Sequence, residues 1–386
     1  MLFRSALVVC PASVKSVWRR ELTQWRPDLR VQILEGKKCR PDFGLYDVAI
    51  VNYDILPSVG EKHIHTTGAY HVLQAREWLG CIIETIVGDE AHQLSSNKSK
   101  RSDSFRACAA NANRRWALTG TPMVNKPDGL KNVLVSFGLL RDSFGDYNSF
   151  FCLMDGKMGK FGTEWGPNPK PEAKNCMQKV MLRRTKDQVL SDLPDYCEEI
   201  VSVKLPQSIE RMHDNALKTI KLDDLPGEIG RFSELRKLTA SAKVKFLLEF
   251  IDSKSFEENG EPLVVFSAHS EPLAFARERE GWAVLDGSVP SEKRARIVSQ
   301  FQEGMLRGLA CNIKAGGVGI TLTRASKMIF VDVEWSPALN AQARDRIRRI
   351  GQKNFCNYYY IVAETALEQR VWDVLNQKQK RNEAIL

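Results

Sequence analysis

Two adjacent carboxylates, Asp89 and Glu90, follow the apolar run Ile82–Val87 and open the sequence Asp89-Glu90-Ala91-His92. A carboxylate pair at a buried strand end suits nucleotide chemistry. The first can hold the shell of a Mg²⁺ ion, and the second can orient or deprotonate an attacking water. An acidic start to a loop would read the same way. Thr119, Gly120 and Thr121 follow the short run Trp116–Leu118. Hydroxyls on a tight glycine turn could bridge the carboxylate loop to a neighbouring lobe, or the segment is a plain strand-to-helix turn. Ala315-Gly316-Gly317-Val318-Gly319 lets backbone approach a phosphate closely, as an ordinary glycine loop also would. Arg346 and Arg349 are three apart and share a helical face with Gln342. Their guanidinium forks suit developing γ-phosphate charge. A solvated basic helix is the alternative.

The elements that must position these groups alternate. Ala6–Cys10 reads as a buried strand, and Val14, Val17, Trp18, Leu22 and Trp25 recur at helical spacing. Val31–Leu34, Val48–Val51, Ile82–Val87 and Trp116–Leu118 read as further strands. The stretch Asp155–Ala173 is rich in Gly, Pro and Lys and reads as an irregular insertion, with a helix following to Met181. Glu198–Leu205 reads as an extended connector, and residues 207–252 as helical with a break near Pro226-Gly227. A second block holds strands Leu263–Phe266, Gly308–Cys311, Met328–Val331 and Tyr358–Val362. Its helices are Ser291–Gln302, with Ser291 as N-cap and Gly304 past the end, then Ala338–Arg349 and Ala366–Lys380. This β-α-β pattern implies an α/β fold of two lobes, 1–200 and 201–386, each a mainly parallel sheet flanked by helices.

Composition narrows the function. Charged residues make up 27% and apolar residues 43% of the 386, ordinary globular values that exclude a wholly disordered chain. No apolar run approaches a membrane span, and Met1–Val9 is too brief for a signal peptide. Nine scattered cysteines include no C-x-x-C pair, which suits a reducing, intracellular setting and argues against structural zinc. The six histidines are dispersed, with only His63 and His65 near neighbours. A net charge of +9 fits a nucleic-acid partner.

In order and spacing these motifs resemble the two-lobed RecA-like motors of helicase superfamily two, and more narrowly the Swi/Snf family of DNA-dependent ATPases. The likeness runs over nearly the whole chain. Leu7–Pro11 and Ser16–Leu22 resemble the family's motif Ia, and Asn52-Tyr53-Asp54 its Ser-Tyr-Glu segment. Asp89–His92 with Leu94, Ser99 and Arg101 resembles motif II, and Leu118–Pro122 with Asn125 motif III. Leu182–Lys186, then Leu193-Pro194, resembles the junction between lobes. Val264–Ser267 is similar to motif IV and Ile313–Leu322 to motif V. Asp332, Trp335 and Pro337 lead into Gln342–Gln352, which resembles motif VI. The resemblance implies ATP and Mg²⁺ as cofactors, with Asp89 on the metal. Asp89, Glu90, Arg346 and Arg349 would be catalytic, and His92, Gly319 and Gln342 would bind ATP. It implies tracking of double-stranded DNA through phosphate contacts by Lys15, Asn52, Tyr53, Ser267, Thr323 and Trp335.

The family also needs a Walker A loop, G-x-x-x-x-G-K-[S/T]. The Gly-Lys pairs here, at Gly36, Gly156 and Gly159, precede Lys38, Met158 and Phe161, never Ser or Thr. The expectation is an N-terminally truncated first lobe whose P-loop comes from a missing segment or a separate polypeptide, giving an ATP-dependent duplex-DNA translocase or remodeller. The competing readings are a non-catalytic DNA-binding remnant of such a motor and a strand-separating helicase subunit. Bacterial, phage and nuclear settings all suit the sequence.

Overall fold

The computed structural model describes residues 5–57, 78, 81–97, 99–110, 112–124, 126–159, 162–219, 225–253, 256, 260–316 and 319–386. His63, His65, Asn125, Gly317 and Val318 lie outside them. The chain divides into two compact units, Met1–Arg183 with Lys380–Leu386, and Arg184–Gln379. The division falls earlier than residue 200, and the last seven residues join the first unit.

The first unit is built on a parallel sheet. Its strands are β1 (Ala6–Cys10), β2 (Val31–Ile33), β3 (Val48–Asn52), β4 (Thr85–Asp89) and β5 (Arg114–Leu118), in the order β2-β3-β1-β4-β5. Every residue of β1 and β3 is buried, as strands covered on both faces must be. Alternation sorts their side chains. Ala6, Val8, Cys10, Val48 and Ile50 pack with Val14, Trp18 and Leu22 at helix Lys15–Trp25. Leu7, Val9, Ala49 and Val51 pack on the other face with Phe105, Val133 and Phe137. Trp25, which fits the helical spacing, is instead 72% exposed. The apolar run that leads to Asp89 is also displaced from the strand it announces. Pairing with β1 begins at Ala6↔Thr85, so the strand starts three residues after Ile82 and ends on Asp89 itself.

The insertion is more ordered than its composition suggests. Strands β6 (Gly156–Gly159) and β7 (Gly162–Trp165) form an antiparallel pair, and helix Glu172–Gln178 follows. The Trp165 indole donates to Asp128 Oδ2 at 2.6 Å and packs on Phe150 and Phe151. A Cβ on Gly156 would lie 2.6 Å from the Phe151 ring, so glycine permits that approach. Such strands carry no apolar alternation to reveal them.

The second unit holds β8 (Tyr196–Val203), β9 (Leu263–Ser267), β10 (Trp282–Leu285), β11 (Gly308–Asn312), β12 (Lys327–Phe330) and β13 (Cys356–Ala363). All pair in parallel, in the order β10-β11-β9-β12-β13-β8. The expected connector at 198–205 is therefore mostly strand β8, paired residue for residue with β13. Its outward side chains, polar and apolar mixed, hide the strand pattern. Pro226 and Gly227 lie in the first turn of Leu225–Ala242, the helix that follows Gln207–Thr219, where a fixed proline φ is tolerated. Pro290 rather than Ser291 occupies the N-cap of helix Ser291–Gln302, and Gly304 follows its end with φ 89°.

One buried cation fastens this unit. Lys243, fully buried between helices Leu225–Ala242 and Val244–Ser253, donates through Nζ to Val331 O (3.1 Å), Ile361 O (2.8 Å) and Glu368 Oε2 (2.7 Å). It joins the chain beyond β12, strand β13 and the first turn of helix Ala366–Ile385. Removing one partner of a buried pair strands the other. Lys243→Met should therefore destabilise the second unit by about 3–5 kcal/mol. Lys243→Met with Glu368→Leu should recover much of the loss. Urea unfolding followed by a probe in this unit decides it, and a loss no larger for the single than for the double variant refutes it.

Candidate active site

The register of β4 delivers Asp89 to the sheet's end. Gly88 precedes it in a crowded place, where a Cβ would meet Phe137 at 2.7 Å and the Tyr53 hydroxyl at 3.2 Å. The Asp89 carboxylate is held from two sides. The Trp18 indole donates to Oδ2 at 2.8 Å, and the Glu90 amide donates to Oδ1 at 3.0 Å. The Tyr53 hydroxyl donates to the Asp89 carbonyl at 2.8 Å. Burial raises the Asp89 carboxyl above its ordinary value; the Trp18 hydrogen bond works against that and the Glu90 charge adds to it. Burial, then the Asp89 charge, also pushes the nearby Cys10 thiol up to about 12.

Glu90 takes a left-handed backbone, φ 50° and ψ 50°, a conformation that L side chains rarely adopt and that is costly away from glycine. The turn aims its carboxylate at His92. Glu90 Oε2 lies 3.2 Å from His92 Nδ1, and Thr119 Oγ1 and Thr121 Oγ1 each lie 3.3 Å from the same nitrogen. The Thr121 amide donates to Thr119 Oγ1 at 3.1 Å and shapes the turn through Gly120. The carboxylate loop and the hydroxyl turn thus meet at one imidazole nitrogen.

In the second unit the basic motif is arranged differently from its expected helix. The helix runs only Pro337–Arg344, started by Pro337 and capped by Ser336, with half-buried Gln342 on it. Arg346 and Arg349 lie on the irregular turn beyond, so helical spacing does not unite them with Gln342. They converge nonetheless: each Nη1 donates to Ile320 O, at 3.2 and 3.4 Å. Ile320 follows Gly319, whose φ is 71°. The motif's other arginines turn elsewhere. Arg344 pairs with Glu198, and Arg348 donates to Pro194 O and lies over the Tyr196 ring. A uniformly solvated basic helix does not describe this segment.

The six residues expected to meet DNA divide. Lys15 is tied inward, donating through Nζ to Leu34 O at 3.0 Å. Tyr53 is buried on Asp89. Ser267 is buried and donates to Asp332. Tyr53 and Ser267 thus spend their hydroxyls on internal acceptors, while the Lys15 ammonium also lies 3.9 Å from the exposed Glu35 carboxylate. Asn52 ends β3, also buried. Thr323 and Trp335 are half-buried; Thr323 accepts from Gln302, and Arg236 lies 4.6 Å over the Trp335 ring.

Two structural partners went unassigned in the sequence. Trp18 reads there as one apolar residue of a helical stripe, although an indole N–H near a carboxylate loop is a usable donor. Asp332 collects Ser267, the Ala268 amide, His269 Nδ1 at 2.7 Å and Arg236 at 3.8 Å. Burial alone would raise its carboxyl, but His269, Arg236 and Ser267 hold it below the ordinary value.

Among the described residues no group of three His, Cys, Asp or Glu side chains could cage a metal ion. Mg²⁺ needs no such cage, since one or two carboxylates and substrate phosphates commonly hold it. The hard oxygens of Asp89 and Glu90 at one strand end fit that manner of binding.

A sequence model of the SNF2-related domain matches residues 3–249, and one of the helicase conserved C-terminal domain matches residues 242–351. The chain belongs to the SNF2-related family. Among its relatives, the mouse (Mus musculus) DNA annealing helicase and endonuclease ZRANB3 is 28% identical over 395 residues, covering 96% of this chain and 36% of that protein. The Caenorhabditis elegans homolog of SWI/SNF-related matrix-associated actin-dependent regulator of chromatin subfamily A-like protein 1 is 28% identical over 386 residues, covering 96% of this chain and 54% of that one. The chain therefore spans about a third to a half of the length of these SNF2-related proteins. A solved structure, the Sulfolobus solfataricus SWI2/SNF2 ATPase core in complex with dsDNA, aligns with TM-score 0.40 at 21% identity over 100% of this chain and 84% of that one. No helix among the described residues is long and apolar enough to cross a membrane.

The Trp18 bond makes a measurable demand. Trp18→Phe keeps the ring and removes the donor that opposes the raised Asp89 pKa. The Asp89 titration should move further upward, read from its carboxyl ¹³C shift, with Asp89→Asn identifying the signal. An unchanged or lowered midpoint excludes the indole as a stabiliser of the anion.

Proposed function

We propose that this SNF2-related chain is the two-lobed part of an ATP-driven motor that translocates on or remodels double-stranded DNA, its P-loop supplied by residues outside these 386. The observation that carries the reading is the meeting of Glu90, Thr119 and Thr121 at His92 Nδ1. Such a junction lets a change at the carboxylate loop be felt in the turn beyond β5. The alternative of an acidic loop start leaves that convergence unexplained.

In this mechanism Asp89, oriented by Trp18 and the Glu90 amide, would hold Mg²⁺, which when bound supplies positive charge to the phosphate oxygens. Glu90 orients the attacking water and accepts its proton. The strained turn at Glu90 fixes that carboxylate in place. Arg346 and Arg349 would direct guanidinium N–H groups at the charge that develops on the γ-phosphate, and Gly319, His92 and Gln342 contribute to nucleotide binding. The relative from mouse is called a DNA annealing helicase, and the +9 charge of this chain supports a DNA partner for it too. Of the six expected contacts, Thr323 and Trp335 are the ones we retain. A nuclear or other intracellular setting accords with this reading.

These 386 residues alone should turn over ATP very slowly, with or without DNA. Joined to a strand–P-loop–helix segment carrying the Walker A pattern G-x-x-x-x-G-K-[S/T], they should gain DNA-stimulated turnover that Glu90→Gln abolishes. Loss of an arginine finger typically costs about 10³–10⁵ in rate, and Arg349→Ala should cost as much. Arg349→Lys should rescue little, because an ammonium lacks the planar fork. A normal maximum rate for Arg349→Ala at saturating DNA would reduce the arginine to a DNA contact. A joined chain that binds ATP without hydrolysing it would favour the non-catalytic remnant.

Binding of duplex DNA should weaken steeply between low and physiological salt, as displaced counterions require. Fluorescence anisotropy with labelled duplex measures it. Salt-independent binding contradicts a phosphate-tracking surface, and efficient strand displacement by the joined chain would favour a strand-separating helicase.

A further inference from the structure

We infer that Gln352 is the positioning residue for Arg346 and Arg349, an inference that rests on the catalytic reading of that pair. Gln352 is 5% exposed and its side chain makes five hydrogen bonds within the second unit. Its Nε2 donates to Thr323 O (3.1 Å), Ala325 O (2.7 Å) and Ile347 O (3.1 Å). Its Oε1 accepts from the amides of Lys353 (3.0 Å) and Asn354 (2.9 Å). An amide nitrogen has two hydrogens, so three carbonyls share them and the side chain has no capacity left over. One buried amide thus ties the segment after Ile320 to both sides of the turn that carries the arginines.

The rest of the local bonding needs that tie. The Leu322 amide donates to Arg346 O at 2.9 Å, and the Gln352 amide itself donates to Arg349 O at 2.9 Å. The two guanidiniums reach Ile320 O from that turn. The α-helix ends at Arg344; beyond it the Arg346 amide donates to Ala343 O at 3.1 Å and the Ile347 amide to Arg344 O at 3.3 Å, and no such bond continues to Arg349. Their spacing relative to Gly319 and Ile320 is set by the glutamine clip. A shift of about 1 Å in a catalytic group can cost on the order of 10²-fold in rate.

Two variants separate the halves of the clip. Gln352→Met keeps the side chain's bulk and loses every hydrogen bond. Gln352→Glu keeps the acceptor for Lys353 and Asn354 but turns anionic oxygen toward three carbonyls. In the 386-residue chain, ¹⁵N-arginine spectra should show hindered Arg346 and Arg349 guanidiniums, assigned with Arg346→Lys and Arg349→Lys. Both Gln352 variants should average those signals and leave Arg344, held by Glu198, unchanged. Circular dichroism confirms that the variants are folded, and an unfolded Gln352→Met leaves the decision to Gln352→Glu. In the P-loop-joined chain, kcat should fall about 10²-fold with the DNA half-saturation point unmoved. Combining Gln352→Met with Arg346→Ala and Arg349→Ala together should add no further loss to that of the two arginine changes. Unchanged guanidinium signals, or a further loss in that combined variant, overturn the proposal. A joined wild-type chain without turnover counts against the catalytic reading, and the arginine spectra still decide whether Gln352 holds the pair.

Discussion

The parallel pairing of β4 between β1 and β5 governs the first unit's chemistry. Pairing with β1 runs to Val9↔Gly88, and pairing with β5 runs one residue further, to Asp89↔Leu118. Asp89 is thus the last residue the sheet holds, and Glu90 is the first that must turn. A one-residue slip would exchange every side chain between the two faces of β4. The fixed backbone explains why Glu90 tolerates a left-handed conformation. Gly88 is jammed between Phe137 and Tyr53, the Tyr53 hydroxyl pins the Asp89 carbonyl, and Trp18 grips the carboxylate. Strain persists where its surroundings over-determine the backbone.

The second unit solves the same problem with buried polar groups. The chain leaving β12 has its carbonyls at Val331 and Val333 held by Lys243 and Arg236, and its Asp332 carboxylate by Ser267, His269 and the Ala268 amide. Glu334 and Asn340 exchange hydrogen bonds across the start of the motif VI helix. Because Asp332 titrates below its ordinary value, its contribution is present above the usual carboxylate range. It is lost as pH falls through the lowered folded value.

What could be read in the sequence follows from where side chains point. β1, β3 and β9 are buried on both faces, so apolar runs expose them directly. Asp89 and Glu90 were legible because they end such a run, although Ile82 misplaced its start. β8 was missed because its outward polar residues erase the pattern, and the β6–β7 pair because glycine carries none. The arginine pair was legible by residue type, but its geometry was not, since convergence on Ile320 comes from a turn held at long range. Lys15, Tyr53 and Ser267 look like surface contacts in one dimension. Each instead meets a distant acceptor, Leu34, Asp89 or Asp332, and no local spacing encodes those partners.

The position of β8 bears on how the chain matures during synthesis. The five strands of the first sheet have all been made once Leu118 leaves the ribosome. The second sheet begins with β8, whose partner is β13, with Tyr196 opposite Cys356. Every residue between Val203 and Cys356 must emerge before that pairing forms, and such distant pairing carries a loop-closure cost that slows folding. Throughout that interval a nascent β8 offers unpaired backbone and the apolar Ile200 to any chaperone or neighbouring chain. A translational pause or premature stop ahead of β13 would therefore leave β1 to β5 made while the second sheet is still adhesive and half built.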